Sequence, residues 1–272
     1  MVFAPTGLVT LTTDFGLAEP FVGIMKGRIL GRLPSARIVD LSHGLPAGRS
    51  DLAGFWLGQA WRDFPAGTLH LAVVDPGVGT ARGVTLAECG RQLLLAPDNG
   101  LLPEALRGSA GVAWRTLDPG LPDRLGLGRL SRTFHGRDLF APLAALLAAG
   151  ELEPADFGPR ASAVDPRPLP RPCRTDDQVQ GEILVADRFG NLISNIDAGL
   201  LRGLDSPGVA LGAHDLLLAP TYGAADPGQP VAVVNAFGLV EIAVRDGSAL
   251  DALGAGPGAT VVIRNCGGHT EG

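Results

Sequence analysis

Cysteine is nearly absent: Cys89, Cys173 and Cys266 lie far apart and form none of the paired spacings of a zinc or redox centre. That argues against a disulfide framework or a thiolate metal site and leaves reduced thiols. Lysine occurs once, as Lys26 among 22 basic residues, which together with abundant Ala, Gly and Pro reflects coding bias rather than chemistry. There is no basic excess either. With 28 acidic residues and a net charge of -6, the chain lacks the positive face that a nucleic-acid binder shows. Long hydrophobic runs are also missing, since the longest, LFAPLAALLAAG from Leu139, is interrupted by Pro142 and is far shorter than a bilayer span. No signal-peptide pattern opens the sequence. The expectation is a soluble cytoplasmic protein with neither nucleic acid nor membrane as partner.

What the chain does have is pattern. GLVTLTT (7–13) reads as a strand, PFVGIMKGRILGRL (20–33) as a helix with proline at its start, and ARIVDLS (36–42) as a second strand. RSDLAGFWLGQAWRDF (49–64) has apolar residues three and four apart, and TLHLAVVD (68–75) follows as a buried strand. LFAPLAALLAAG reads as a packing helix closed by Gly150. This is βαβ logic and predicts an α/β domain over residues 1–160. From Pro154 to Pro172 the composition turns to Pro, Arg and Asp without periodicity, which predicts an extended linker, taken as 161–174. Residues 175–272 then carry short strands between turn signals, as in GEILVADRFGN, VALGAHDLLLA, PVAVVNAFG, LVEIAVRDG and ATVVIRN, which suits a small antiparallel barrel or sandwich.

Polar residues gather where α/β proteins build sites, at strand ends and in glycine-bearing turns. They fall in TTDFG (Asp14), VVDPGVGTARG (Asp75, Arg82), TFHGRD (His135) and ADRFGNLISN (Asp187, Phe189, Asn191). Singly, each has an ordinary explanation: an Asp before Gly or Pro bonds its own turn, Arg82 pairs with Asp75 to pin a surface loop, and a lone His is structural. A dinucleotide reading of GVGTAR fails, because Arg82 stands where the third glycine of GxGxxG belongs and no GK[ST] follows.

Taken in order, LTTDFG, PFVGIMKG, IVDLSH, FPAGTLHLAVVDPGVGT, LLAPDNGLL, TFHGRD, VADRFGNLISNI and NAFGLVEIAV resemble the S-adenosylmethionine hydrolases that form adenosine, also called hydroxide adenosyltransferases. More distantly they resemble the fluorinase and chlorinase enzymes. The resemblance implies an α/β domain whose central sheet is flanked by helices, a smaller C-terminal antiparallel barrel-like β domain, and a homotrimer with sites between subunits. It implies S-adenosyl-L-methionine as substrate, adenosine and methionine as products, and neither metal nor organic cofactor. By resemblance, Asp75, Arg82 and His135 surround the nucleophilic water. Asp14 accepts the ribose hydroxyls, Asp187 and Glu19 lie near the methionine ammonium, Asn191 meets the adenine edge, and Phe189 and Tyr222 offer ring faces.

Two departures bear on methionine anchoring: Ala236 stands where relatives often carry serine, and Phe21 where hydrolases often have tyrosine. Gly136 follows His135 where the halogenating enzymes use a small hydroxyl residue, and an acid in the pocket repels halide. A halogenase of the chlorinase type is the alternative enzyme, and a non-catalytic adenosine- or S-adenosylmethionine-binding protein the alternative outside enzymes.

Overall fold

The computed structural model describes residues 3–162 and 169–265; Cys266 and residues 163–168 of the Pro-rich stretch lie outside the described residues. The chain divides into two compact units, Met1–Pro168 and Leu169–Gly272.

The first unit runs β1 (Leu8–Thr13), α1 (Phe21–Arg32), β2 (Arg37–Ser42), α2 (Ser50–Ala60), β3 (Leu69–Val73), β4 (Val84–Cys89), β5 (Gln92–Pro97), α3 (Leu101–Ala105), β6 (Ala113–Thr116), α4 (Leu121–Arg124) and α5 (Ala141–Ala149). Its six strands lie in the order β2-β1-β3-β5-β4-β6. The first four are mutually parallel, and β4 and β6 close one side antiparallel. Helices cover both faces. Alternate residues of the central strands divide between two cores: Val9, Leu11, Leu69, Leu71, Leu93 and Leu95 meet α1 and α5, whereas Ala72, Leu94 and Ala96 meet α2 and α3. Burial on both sides explains why β3, apart from His70, is apolar without alternation.

α1 buries Val22, Met25 and Ile29, a stripe of helical period. α5 is apolar on every side and accordingly buried along nearly its whole length, and Gly150 ends it in the left-handed region at φ 73°. The expected helix from Leu139 is modified at its start. Gly136–Phe140 forms a π-type turn, with the Ala141 N–H bonded five residues back to Gly136 O. Pro142 supplies the reason, since in a regular helix its ring would crowd the carbonyl four residues earlier, and the wider turn opens that space.

The Pro-rich stretch is ordered sooner than its composition suggests. Pro154–Asp156 forms a 3-10 turn, Phe157 is fully buried in the α1/α5 core, and Arg160 bridges to Arg115 beside β6. An extended linker from Pro154 is therefore corrected: residues 154–160 pack on the first unit, anchored by one phenylalanine that the proline-rich composition hides.

The second unit holds β7 (Cys173–Arg174), β8 (Gln178–Ala186), β9 (Leu192–Asp197), β10 (Pro207–Leu211), β11 (His214–Ala219), β12 (Pro230–Val234), β13 (Leu239–Val244), α6 (Ala249–Ala252) and β14 (Thr260–Asn265). The order β14-β10-β11-β12-β13-β9-β8 returns to β14 through a β8–β14 pairing. This closes a seven-stranded barrel, to which β7 adds a short strand beside β8. Closure decides between barrel and sandwich, and it leaves those seven strands without an open edge. One pair, β11 with β12, is parallel, so the barrel departs from the expected all-antiparallel pattern there.

Candidate active site

β1 and β3 are parallel neighbours, with Thr13 paired to Val73. Asp14 and Asp75 therefore leave the same carboxyl edge of the sheet, where α/β proteins place ligands. Past Val74 the chain makes consecutive turns: Val78 N–H bonds Asp75 O, Thr80 N–H bonds Gly77 O, and the Thr80 hydroxyl donates to Gly77 O at 2.6 Å. These turns bring Arg82 back onto Asp75. Arg82 Nε lies 2.9 Å from both Asp75 oxygens, Nη2 bonds Oδ2 as well, and the two side chains are only 10% and 5% exposed. The pair is thus a buried bidentate one, not a solvated surface pin.

Arg82 Nη2 also donates to His135 Nδ1 at 2.9 Å, joining residues fifty-three positions apart. Because a guanidinium only donates, Nδ1 is the acceptor and the neutral ring carries its proton on Nε2. Burial first, and the Arg82 cation second, hold the imidazole below its ordinary value. Phe140 packs under the guanidinium, 5.3 Å from its carbon.

The loop bearing His135 is fixed from both sides. Asp138, itself buried, accepts from Ser131 N–H at 2.9 Å and from Arg137, and Arg137 first among its partners draws its carboxyl down to about 2. On the other side Gly79, at φ 77°, lies so close to Arg132 that an added Cβ would sit 2.1 Å from the Arg132 carbonyl. Three rings tie this loop to the Asp14 turn: Phe15, Phe21 and Phe134 pack edge to face at 5.5–6.2 Å. Met25 Sδ and the Phe134 ring occupy the space a Cβ at Gly136 would need, both just over 3 Å away.

Asp14 Oδ2 accepts from Gly48 N–H at 2.8 Å, just before α2. Beneath it, Thr13 Oγ1 and His43 Nδ1 are bonded at 2.8 Å, and His43 Nε2 lies 3.1 Å from Asp40 Oδ1, within ion-pair distance but not aligned as a hydrogen bond. Asn99 donates to Val74 O at 2.8 Å and so holds the strand end that precedes Asp75. Glu19 is exposed, on the turn that leads into α1. Sequence reading passed over Asn99, Phe134 and Asp138 as individual residues. Their signal was present in PDNG and in TFHGRD, where polar or aromatic residues flank the strand end and the candidate histidine.

Within the second unit a groove of about 650 Å³ is lined by Asp187, Phe189, Asn191 and Tyr222 together with Arg245 and Gly247. Asp187 Oδ1 accepts from the backbone of Phe189 and Asn191 at 2.8 and 2.9 Å, and Oδ2 from Asn191 Nδ2 at 3.3 Å. The turn-forming role expected of any Asp in this setting is therefore present, and the same bonds splay Phe189 outward, 70% exposed. The nine sequence-derived site residues thus fall into two sets, with Asp14, Glu19, Asp75, Arg82 and His135 on the first unit and the other four on the second. Among the described residues no group of three or more His, Cys, Asp or Glu forms a metal cage.

Family models of the SAM hydroxide adenosyltransferase N-terminal and C-terminal domains match residues 9–158 and 181–262. A protein named (R)-S-adenosyl-L-methionine hydrolase from Salinispora arenicola is 39% identical over 260 residues, covering 94% of this chain and 97% of the relative. A fluorinase from Actinopolyspora mzabensis is 23% identical, with 87% of this chain and 90% of the relative covered. A crystal structure of an uncharacterized conserved protein from Thermotoga maritima superposes with a TM-score of 0.85 at 32% identity, over 94% of this chain and all of the other. The two matched domains coincide with the two units of the fold, and the chain belongs to the SAM hydroxide adenosyltransferase family.

Proposed function

We propose that this protein hydrolyses S-adenosyl-L-methionine to adenosine and L-methionine, acting on the R sulfonium form that the relatives' names specify. The observation that carries the reading is Arg82, bonded at once to a buried carboxylate and to a neutral imidazole at the carboxyl edge of the sheet. Sulfur leaves the ribose C5′ as a neutral thioether, so the leaving group needs no acid. The work lies in the nucleophile, which must be aligned behind C5′ and relieved of a proton.

His135, with Nδ1 engaged by Arg82, offers Nε2–H to the water oxygen and holds it. Asp75 has lone pairs beyond those that meet Arg82 and takes the proton. The guanidinium charge favours the hydroxide that develops. A new C5′–O bond forms as the C5′–S bond breaks, the electron pair goes to sulfur, and the proton passes from Asp75 to solvent. Asp14 receives the ribose diol, Glu19 and Asp187 the methionine ammonium, and Asn191, Phe189 and Tyr222 the adenine. Chemistry of this kind requires no metal or organic cofactor. On the same resemblance we propose a homotrimer with active sites between subunits, and on composition a soluble cytoplasmic setting.

The test is chromatography of products after incubation with each sulfonium epimer, with and without halide. Adenosine and methionine in equal amounts, from the R form and regardless of halide, are expected. A 5′-halonucleoside would overturn the reading in favour of a halogenase, and tight binding without product in favour of a non-catalytic binder. Sedimentation velocity at working concentration checks the trimer.

A further inference from the structure

One buried carboxylate in the second unit has no apolar or ionic explanation. Glu241 lies in β13, a strand buried throughout, and is only 3% exposed. Its neighbours Val240, Ile242 and Val244 enter the barrel core, whereas Ala243 joins Val231 and Val233 in a small outer cluster. With a side-chain period of two, Glu241 faces outward with Ala243. There Tyr222 donates its hydroxyl to Oε1 at 2.7 Å and Asn235 Nδ2 donates to Oε2 at 2.9 Å. Among the described residues no cation pairs with it. A carboxylate taken from water and met only by neutral donors is a net cost to folding, so stability does not account for it.

Position does. Tyr222 is the only tyrosine in the chain, lines the groove, and keeps 44% of its surface open. A ring held at Cβ and tethered at its hydroxyl has its long axis fixed and cannot swing out of the groove about its first side-chain torsion, and a wall fixed in advance loses little freedom when a ligand stacks on it. Asn235, held by the same carboxylate, uses Oδ1 to bind the backbone N–H groups of Phe237 and Leu239 at 2.9 and 3.1 Å, so the β12–β13 turn is restrained together with the ring. Burial, and after it the bond to Glu241, push the Tyr222 phenol up to about 12, which keeps it a donor.

We propose that Glu241 is a positioning residue of this groove: through the Tyr222 hydroxyl it fixes the ring as a stacking wall for a planar heteroaromatic base, the adenine of an adenosyl ligand. The assignment rests on the function proposed above. Its test uses adenosine as probe, with calorimetry on the full-length protein, alongside ultraviolet titration of the single phenol. Glu241→Gln retains shape while removing the charge, and Tyr222→Phe retains the ring while removing the tether. Gln has one acceptor oxygen for the two donors, Tyr222 Oη and Asn235 Nδ2, so each variant is expected to weaken adenosine about five- to tenfold, and the double variant no further than Tyr222→Phe alone, since both act on one connection. Glu241→Gln should also lower the phenol's ionisation toward the ordinary tyrosine value. In turnover the loss should appear in KM, with kcat unchanged.

Unchanged adenosine affinity in the variants, additive losses, or an unmoved phenol titration would overturn the assignment while leaving hydrolysis standing. Wild-type protein that binds no adenosine would overturn it together with the functional reading. Should Glu241→Gln fail to fold, Tyr222→Phe decides alone: weakened adenosine supports the tether and undiminished affinity rejects it.

Discussion

At the scale of single residues, Arg82 is the hinge of the site. A lysine there could not reproduce the fork that meets both Asp75 oxygens while a further N–H reaches His135. In the proposed mechanism Asp75 takes the proton, so Asp75→Asn, which keeps size and loses the proton acceptor, is expected to reduce kcat at least about 100-fold. Adenosine affinity should stay within about twofold, since the proposed mechanism has Asp75 meet the nucleophile rather than the nucleoside. A kcat near that of the wild type would refute the role. The Asp75–Arg82 spacing was visible in the sequence because both lie in one loop. The positioning action of Asp138, three residues beyond His135, was not, because nothing in TFHGRD shows that the acid turns back to Ser131 N–H.

At the scale of elements, catalytic geometry depends on two loops pressed together. The glycine-rich loop after β3 meets the loop before the π-type turn at Gly79, where both the positive φ and the nearness of Arg132 O exclude a side chain. Gly79→Ala is therefore expected to cost about 1–3 kcal/mol of stability and to lower kcat as the Arg82–His135 bond is pulled apart. Denaturant unfolding and turnover measured on the same preparation check both effects, and a variant as stable and active as the wild type would contradict the close fit. The strands and helices before residue 75 were legible because their apolar residues follow periods of two and 3.6. The π-type turn was not, since it arises from the steric demand of Pro142 inside a segment whose pattern reads as continuous helix. Phe157 escaped for a related reason, being a single anchor in proline-rich surroundings.

At the scale of the molecule, acid sensitivity has a buried source apart from the site. His70 is wholly enclosed in β3, with Nδ1 accepting from Thr10 Oγ1 at 2.8 Å and Nε2–H donating to Gln92 Oε1 at 2.6 Å. Desolvation lowers it to about 4, against 6.5 for a free imidazole. The folded value lies below the unfolded one, so between pH 6.5 and about 4 the unfolded chain holds a proton that the native chain refuses. Stability should then fall on acidification by about 1.4 kcal/mol per pH unit in that window, with no contribution from this residue above it. His70→Gln should flatten the slope. Unfolding free energies of the two proteins that decline in parallel across the window would show that another group is responsible.

By itself the sequence determined the alternation of strands and helices in the first unit, the run of short strands in the second, and the resemblance that pointed to an adenosyl substrate. Those signals are local: a period, a turn residue or a short motif survives without knowledge of what lies opposite. Only the tertiary structure decided that the second unit closes into a barrel, that Asp14 and Asp75 leave neighbouring parallel strands, and that Arg82 donates to His135 and thereby sets which ring nitrogen carries the proton. Each of these depends on groups distant in sequence meeting at hydrogen-bond range, and the direction of a donor is settled by the partner in front of it, which no run of residues specifies.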